Sequence, residues 1–230
     1  MADADSRSGA TYLTRPILDY LAALHVSHDA GLIRAFQSPE QHSIPAIQVG
    51  PSEGKLLGAL LRLAGARKVV EVGTLAGYST LHMARALPPD GHLWTIEFKP
   101  EHAAIARENI AAAGLSDRVT VLVGPGLDVL PTLAPLGPFD AIFIDADKGN
   151  YDGYGRWAAQ HLRPGGLLLG DNAVYFGNLL DPADPSAAAM RRFHEEATGP
   201  FDTVCIPTPD GLLLGIKRLQ RGFSGHPLQR

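Results

Sequence analysis

Cysteine is almost missing from this chain. Cys205 is the only one in 230 residues, so no intrachain disulfide can form and the fold needs no oxidising compartment. It lies in an apolar run, where a small buried hydrophobe is the expected role. No apolar stretch reaches transmembrane length and no continuous apolar h-region opens the chain, which argues against a membrane partner and favours a cytoplasmic location. Nor is there an excess of positive charge. Twenty Lys and Arg against 24 Asp and Glu leave a net charge of -4, which argues against a surface built for nucleic-acid phosphates, although a local basic patch stays open. The Gly-Lys-Ser/Thr tripeptide of a phosphate-binding loop is absent as well, which excludes nucleoside triphosphate chemistry of that type.

What is present is a soluble-protein composition, 45% hydrophobic and 19% charged, in a length that fits one domain over residues 1–230. The chain is organised around Lys68-Val-Val-Glu-Val-Gly-Thr-Leu-Ala-Gly-Tyr-Ser-Thr80. Val69, Val70 and Val72 are β-branched residues suited to a buried strand. Gly73 and Gly77 permit a tight turn with close approach of backbone to a ligand. The following residues have helical apolar spacing, so the turn presents free helix N-terminal amides. Gly73-Thr-Leu-Ala-Gly77 does not match the dinucleotide fingerprint. Two readings remain, a purely structural strand-to-helix turn and a site for a cofactor with a ribose but no phosphate. Glu97, which closes the next apolar stretch from His92, is placed to accept both hydroxyls of such a ribose.

In chain order, residues 1–10 are small and polar and are expected to be disordered. Two short helices follow before a loop at residues 39–45, and together residues 11–45 form an N-terminal helical segment suited to a lid or a dimer contact. A strong helix occupies residues 51–65, and residues 46–218 form the core, with a tail at 219–230. From residue 68 strands and helices alternate with short connections, which predicts a mostly parallel sheet covered by helices on both faces. The alternation ends in two apolar runs, 201–206 and 212–217, separated only by Pro207-Thr-Pro-Asp-Gly211. So short a connection permits an antiparallel hairpin and no parallel crossover.

Chemistry is concentrated where the fourth and fifth strands end, at Asp145 and at Asp171-Asn172. If these strands are neighbours, two carboxylates and an amide oxygen converge at the sheet edge where open α/β folds bind ligands. Hard oxygen donors without thiolate or imidazole suit Mg²⁺, Mn²⁺ or Ca²⁺ rather than zinc. The same residues, with Asp147, also suit helix caps or solvated loop carboxylates. Lys148 is either a solvated charge or, beside a divalent cation whose like charge disfavours its ammonium form, a general base. Tyr151, Tyr154, Tyr175 and Phe176 follow closely enough to wall an aromatic pocket or to pack in the core.

Four motifs in order, Glu71-Val-Gly-Thr-Leu-Ala-Gly-Tyr-Ser79, Asp145-Ala-Asp-Lys-Gly-Asn-Tyr151, Asp171-Asn172 and Asp210-Gly-Leu212, resemble the cation-dependent O-methyltransferases of the caffeoyl-CoA and catechol type. The resemblance covers residues 47–218. It implies a class I Rossmann-like α/β fold with a seven-stranded sheet, antiparallel in its last strand, binding S-adenosylmethionine. Carried over residue by residue, it makes Val49, Glu71, Gly73, Ser79, Glu97, Gly124, Gly126 and Asp145 cofactor contacts. It makes Asp145, Asp171 and Asn172 the Mg²⁺ ligands, Lys148 the base, and Asp145 part of the catalytic set. It also implies a homodimer and a small aromatic acceptor with adjacent hydroxyls, free or as a coenzyme A thioester. Two features depart from the pattern. Pro125 stands where the family presents a backbone amide to the adenine, and residues 24–42, where the family builds its substrate lid, differ. Two alternatives stay open, a transfer-RNA hydroxyuridine methyltransferase using Arg191, Arg192, Lys217, Arg218 and Arg221 as a basic face, and a noncatalytic cofactor-binding scaffold.

Overall fold

The computed structural model describes residues 12–219. The expected disordered start, Arg221 and nearly all of the tail lie outside the described residues. Helices α1 (Arg15–His25) and α2 (Ala30–Gln41) come first, then α3 (Pro51–Leu63). The repeating part follows as β1 (Lys68–Val72), α4 (Tyr78–Ala86), β2 (His92–Glu97), α5 (Pro100–Ala112), β3 (Val119–Val123), α6 (Gly126–Leu133), β4 (Phe139–Ile144), α7 (Tyr151–His161) and β5 (Leu162–Gly170). It closes with α8 (Pro185–Ala197), β6 (Phe201–Ile206) and β7 (Leu212–Lys217).

Among the described residues seven strands form one sheet in the order β3-β2-β1-β4-β5-β7-β6, with β7 antiparallel to both of its neighbours. The strand order reverses between β1 and β4, and the crevice above such a reversal is where open α/β sheets take ligands. Alternation along each strand divides the core. Val69, Leu93, Ala141, Phe143 and Leu169 face α3, α4 and α5, whereas Val70, Val72, Ile142, Ile144 and Leu168 face α6, α7 and α8. Each fully buried Leu, Val or Phe stabilises the fold by roughly 1.5–3 kcal/mol, so both layers are held against the sheet independently of any ligand.

The helix boundaries follow local chemistry. Pro51 occupies the first turn of α3, the Glu53 carboxylate accepts from the Gly50 N–H at 2.9 Å, and Gly65 adopts a left-handed φ of 60° just past the end. Two expectations need correction. The loop expected from Pro39 begins later, because α2 runs on to Gln41. A proline in the last turn forfeits only one helical N–H, and here Ser38 Oγ donates to the Arg34 carbonyl at 2.9 Å and the Pro39 carbonyl accepts from Ile44 N at 2.9 Å. Cys205, expected to be buried, is exposed. It lies on β6, the edge strand, where only Phe201 is buried.

Candidate active site

The turn after β1 is shaped by a glycine that nothing else could replace. Gly73 has φ of 100°, and a Cβ there would overlap the carbonyl of Asp145, so the loops after β1 and β4 touch backbone to backbone. Leu75 also takes a positive φ, of 50°, which is unusual for a residue with a side chain. The turn is held from within by Glu97, whose Oε2 accepts from Leu75 N at 2.8 Å and Thr74 N at 3.2 Å while Oε1 accepts from Lys99 N at 3.0 Å. Glu71 stands behind this turn. It is fully buried, and its two oxygens accept from the hydroxyls of Ser79 and Thr80, which stitches β1 to the first turn of α4. Burial pushes its carboxyl up to about 7, against the lowering by the hydrogen bonds, and the charge of Asp145 adds to the rise.

A cavity of about 870 Å³ opens above the carboxyl ends of the strands. That volume lies within the range of small-molecule sites. At one end it is bordered by Glu97, Phe98, Lys99, His102 and the Gly124-Pro125-Gly126 turn, at the middle by Gly73, Thr74, Leu75 and Ser79, and at the other end by Asp145, Lys148, Asn172, Phe176 and Asp210. Pro45, Ile47, Gln48 and Val49 border it from the N-terminal side. It spans β3 to β5, four strand intervals or roughly 19 Å, so it is long enough for two ligands end to end. Pro125 caps α6 and has no N–H to offer. Gly126 beside it lets the backbone pack close, since a Cβ would come within 2.9 Å of Tyr154 and Val72.

At the β4–β5 end, Ile144 pairs with Gly170, so Asp145 and Asp171 follow register partners on adjacent parallel strands. Asp171 is only 6% exposed. Its burial, then the charges of Asp145 and Glu53, push its carboxyl up to about 8. Asn172 has a left-handed φ of 51° and its amide Nδ2 donates to Asp210 Oδ2 at 3.4 Å, so Oδ1 remains an available acceptor. Glu53 Oε1 is buried without a hydrogen-bond partner. Crowded buried oxygens of like charge are the donor set that a divalent cation relieves, and Asp145, Asp171 and Asn172 fit one. Among the described residues no three His, Cys, Asp or Glu side chains group as a metal centre by themselves.

Lys148 lies on the cavity wall with Nζ 3.1 Å from Asp145 Oδ1 and 2.7 Å from Tyr151 Oη. The Tyr151 hydroxyl in turn lies 3.1 Å from the Asp171 carbonyl and 3.2 Å from the Ile144 carbonyl, which fixes it between the two strand ends. Tyr151 is therefore beneath the wall, while Tyr154 and Phe176 are on it and Tyr175 turns its hydroxyl to Asp184 at 2.8 Å. Sequence reasoning passed over Tyr78, also on the wall, whose Oη lies 2.6 Å from His28 Nε2. It also weighed Asp147 only as a helix cap or a solvated loop carboxylate, whereas Asp147 borders the cavity and accepts from Tyr154 Oη at 2.5 Å. Helical spacing could not signal that pair, because Asp147 sits in extended backbone ahead of α7.

A family profile for O-methyltransferases matches residues 27–218. The chain is 45% identical over 179 residues to a catechol O-methyltransferase of Niastella koreensis, covering 76% of this chain and 81% of that one. The chain belongs to the O-methyltransferase family. A catechol O-methyltransferase of Mycobacterium tuberculosis is 42% identical over 86% of this chain and 94% of its own length. The solved O-methyltransferase TomG of Streptomyces achromogenes, involved in tomaymycin synthesis and in complex with S-adenosylmethionine, superposes with a TM-score of 0.85 at 38% identity, over 89% of this chain and 96% of that chain.

For this O-methyltransferase the four described residues considered for a basic face are engaged locally, and Arg221 lies outside the described residues. Arg191 Nη1 donates to the carbonyls of Leu179 and Asp181, Arg192 Nε to Asp152, Lys217 Nζ to the carbonyls of Ala159 and Leu162, and Arg218 Nη1 to the carbonyl of Gly199. Among the described residues no helix is long and apolar enough to cross a membrane.

Proposed function

We propose that the cavity takes S-adenosylmethionine over the ends of β1 to β3 and an aromatic acceptor with two adjacent hydroxyls over the ends of β4 and β5. In this reading Glu97 accepts from the ribose hydroxyls, and Val49, Gly73, Ser79, Gly124, Gly126 and Asp145 line the cofactor. Asp145, Asp171 and Asn172 hold Mg²⁺, and Lys148 is the base. The observation that carries it is the convergence of Lys148 Nζ with the Asp145 carboxylate, 3.1 Å apart, at the end of the cavity that Asn172 also borders, with Asp171 buried behind the wall.

When bound, the cofactor supplies a methyl already activated as a sulfonium and the cation lowers the pKa of an acceptor hydroxyl. The chain's own residues do the rest. Lys148 Nζ accepts the hydroxyl proton as the oxygen becomes a nucleophile. Tyr151 and Asp145 keep that nitrogen at the wall, and positioning of two reactants in one crevice lowers the barrier further. Phe176 borders the acceptor end with apolar surface, which suits an aromatic ring.

A cation held by Asp145, Asp171 and Asn172 would favour an acceptor offering two neighbouring hydroxyls over a single phenol. The test is turnover with labelled S-adenosylmethionine and Mg²⁺ on a catechol acid, its coenzyme A thioester and the matching monophenol. Methylation of the diols alone is expected, and equal turnover of the monophenol overturns selection by chelation.

A second copy of the chain is the proposed partner of α1. This helix has no buried residue, and Ile17, Tyr20 and Leu24 are 43%, 65% and 60% exposed along it. Light scattering is expected to give twice the 24.5 kDa monomer mass, and a monomer across a dilution series rejects the dimer.

A further inference from the structure

The strained turn between β1 and α4 is held from two sides, and only one of them faces the cavity. On the cavity side the Glu97 carboxylate accepts from Thr74 and Leu75 N–H. On the far side is Asn109 of α5, a side chain 1% exposed whose amide Nδ2 donates to the Ala76 carbonyl at 2.9 Å. The same amide reaches α2. Its Nδ2 also donates to Ser38 Oγ at 2.9 Å, and its Oδ1 accepts from Arg34 Nε at 2.9 Å. One buried amide thus joins three segments: the turn, α5 and the N-terminal helix α2. None of Asn109, Ser38 or Arg34 borders the cavity.

We propose that Asn109 is a positioning residue that couples occupancy of the cofactor turn to the seating of α2. The inference rests on the assignment of the cofactor to this cavity. When the ribose hydroxyls draw on the Glu97 carboxylate, the inner restraint on Leu75 is shared with the ligand. The rear bond from Asn109 to Ala76 then keeps the left-handed turn in place. Because Asn109 holds α2 with the remaining hydrogen-bonding capacity of the same amide, a turn fixed by ligand favours a seated α2. By reciprocity a seated α2 favours ligand. A buried amide loses this role when either arm is cut, since an unsatisfied partner in a dry site is costly.

Asn109→Asp is nearly isosteric. It keeps the acceptor for Arg34 but turns an oxygen toward the Ala76 carbonyl. Ser38→Ala cuts only the α2 arm. Calorimetric titration with S-adenosylhomocysteine is expected to show Kd raised about tenfold or more in Asn109→Asp and severalfold in Ser38→Ala. Hydrogen exchange is expected to show α2 amides gaining protection on ligand binding in the wild type and losing that gain in both variants. A residue with a merely structural role would lower the melting temperature and leave Kd and the ligand-induced protection unchanged, and that result overturns the coupling. If Asn109→Asp does not fold, Ser38→Ala alone decides it. Failure of the wild type itself to bind S-adenosylhomocysteine rejects the cofactor assignment instead.

Discussion

Asp171 N donates to the Ile144 carbonyl at 2.9 Å, and through that bond the strand end carrying Asp171 is locked beside the one carrying Asp145. Two carboxylates are thereby held together on neighbouring strands with Lys148 Nζ as the cation in contact with Asp145. Burial and the charges of Asp145 and Glu53 hold the Asp171 carboxyl up at about 8, and the consequences of this arrangement can be measured.

Chelation is expected to abolish activity and Mg²⁺ to restore it. Asp171→Ala should lose metal affinity while keeping most of its affinity for S-adenosylhomocysteine, because the Asp171 carboxylate stands apart from the turn and Glu97. Titration of each ligand separately checks this, and equal loss of both would make Asp171 a structural residue.

Glu97→Ala is expected to weaken cofactor binding by about 1.5–3 kcal/mol, tenfold or more in Kd, through loss of charge-assisted hydrogen bonds. Circular dichroism should report an intact fold. An unchanged Kd would move the ribose to another partner.

Lys148→Ala is expected to lower kcat by about 10²–10⁴-fold, the usual contribution of a positioned base, with little change in the cofactor Kd. Steady-state kinetics with a catechol acid separates the two quantities. A variant that keeps wild-type kcat removes Lys148 from the proton transfer.

His82 gives a pH prediction for stability. Its ring packs against Gly54 and Tyr78, its Nε2 is buried without a partner, and burial, assisted by His28 and Arg85, pushes it down to about 4. The folded state therefore binds fewer protons than the unfolded one below pH about 6.5. Its contribution is fully present above that value and is lost as pH falls toward about 4. The apoprotein's melting temperature should drop through this window by about 2–4 °C for each kcal/mol lost, and His82→Phe should flatten the drop. An identical pH profile in the variant would assign the loss to other groups.

The local elements were legible because their causes are local. Gly65 and Gly114 end helices as their left-handed backbones require, and Pro51 and Pro100 begin them. A five-residue connection between 206 and 212 left an antiparallel pair as the only geometry, and the valines of β1 could belong only to a buried strand. The order of motifs along the chain carried the family, and it singled out Asp145, Asp171, Asn172 and Lys148 as candidates. Cys205 and Pro39 were misread because an edge strand and an uncovered face are properties of the assembled sheet, and because a proline in a last turn costs a single hydrogen bond.

What the sequence alone determined, then, is the alternation of strands and helices, the parallel sheet with its terminal hairpin, and the residue types at the strand ends. Tertiary structure decided which of those residues meet. Glu71 and Ser79 are eight positions apart, yet one is sealed behind the turn while the other borders the cavity. Tyr151 lies beneath the wall and contacts Lys148 from behind, whereas Tyr154, three positions on, lies on the wall. Asn109 reaches Ser38 across 71 positions and Ala76 across 33, and no periodicity in the chain announces a buried amide shared by three segments. Spacing along a chain fixes the direction of a side chain relative to its own helix or strand. Which polar atoms share a dry interior depends on how the layers close on one another, and that is a property of the packed fold.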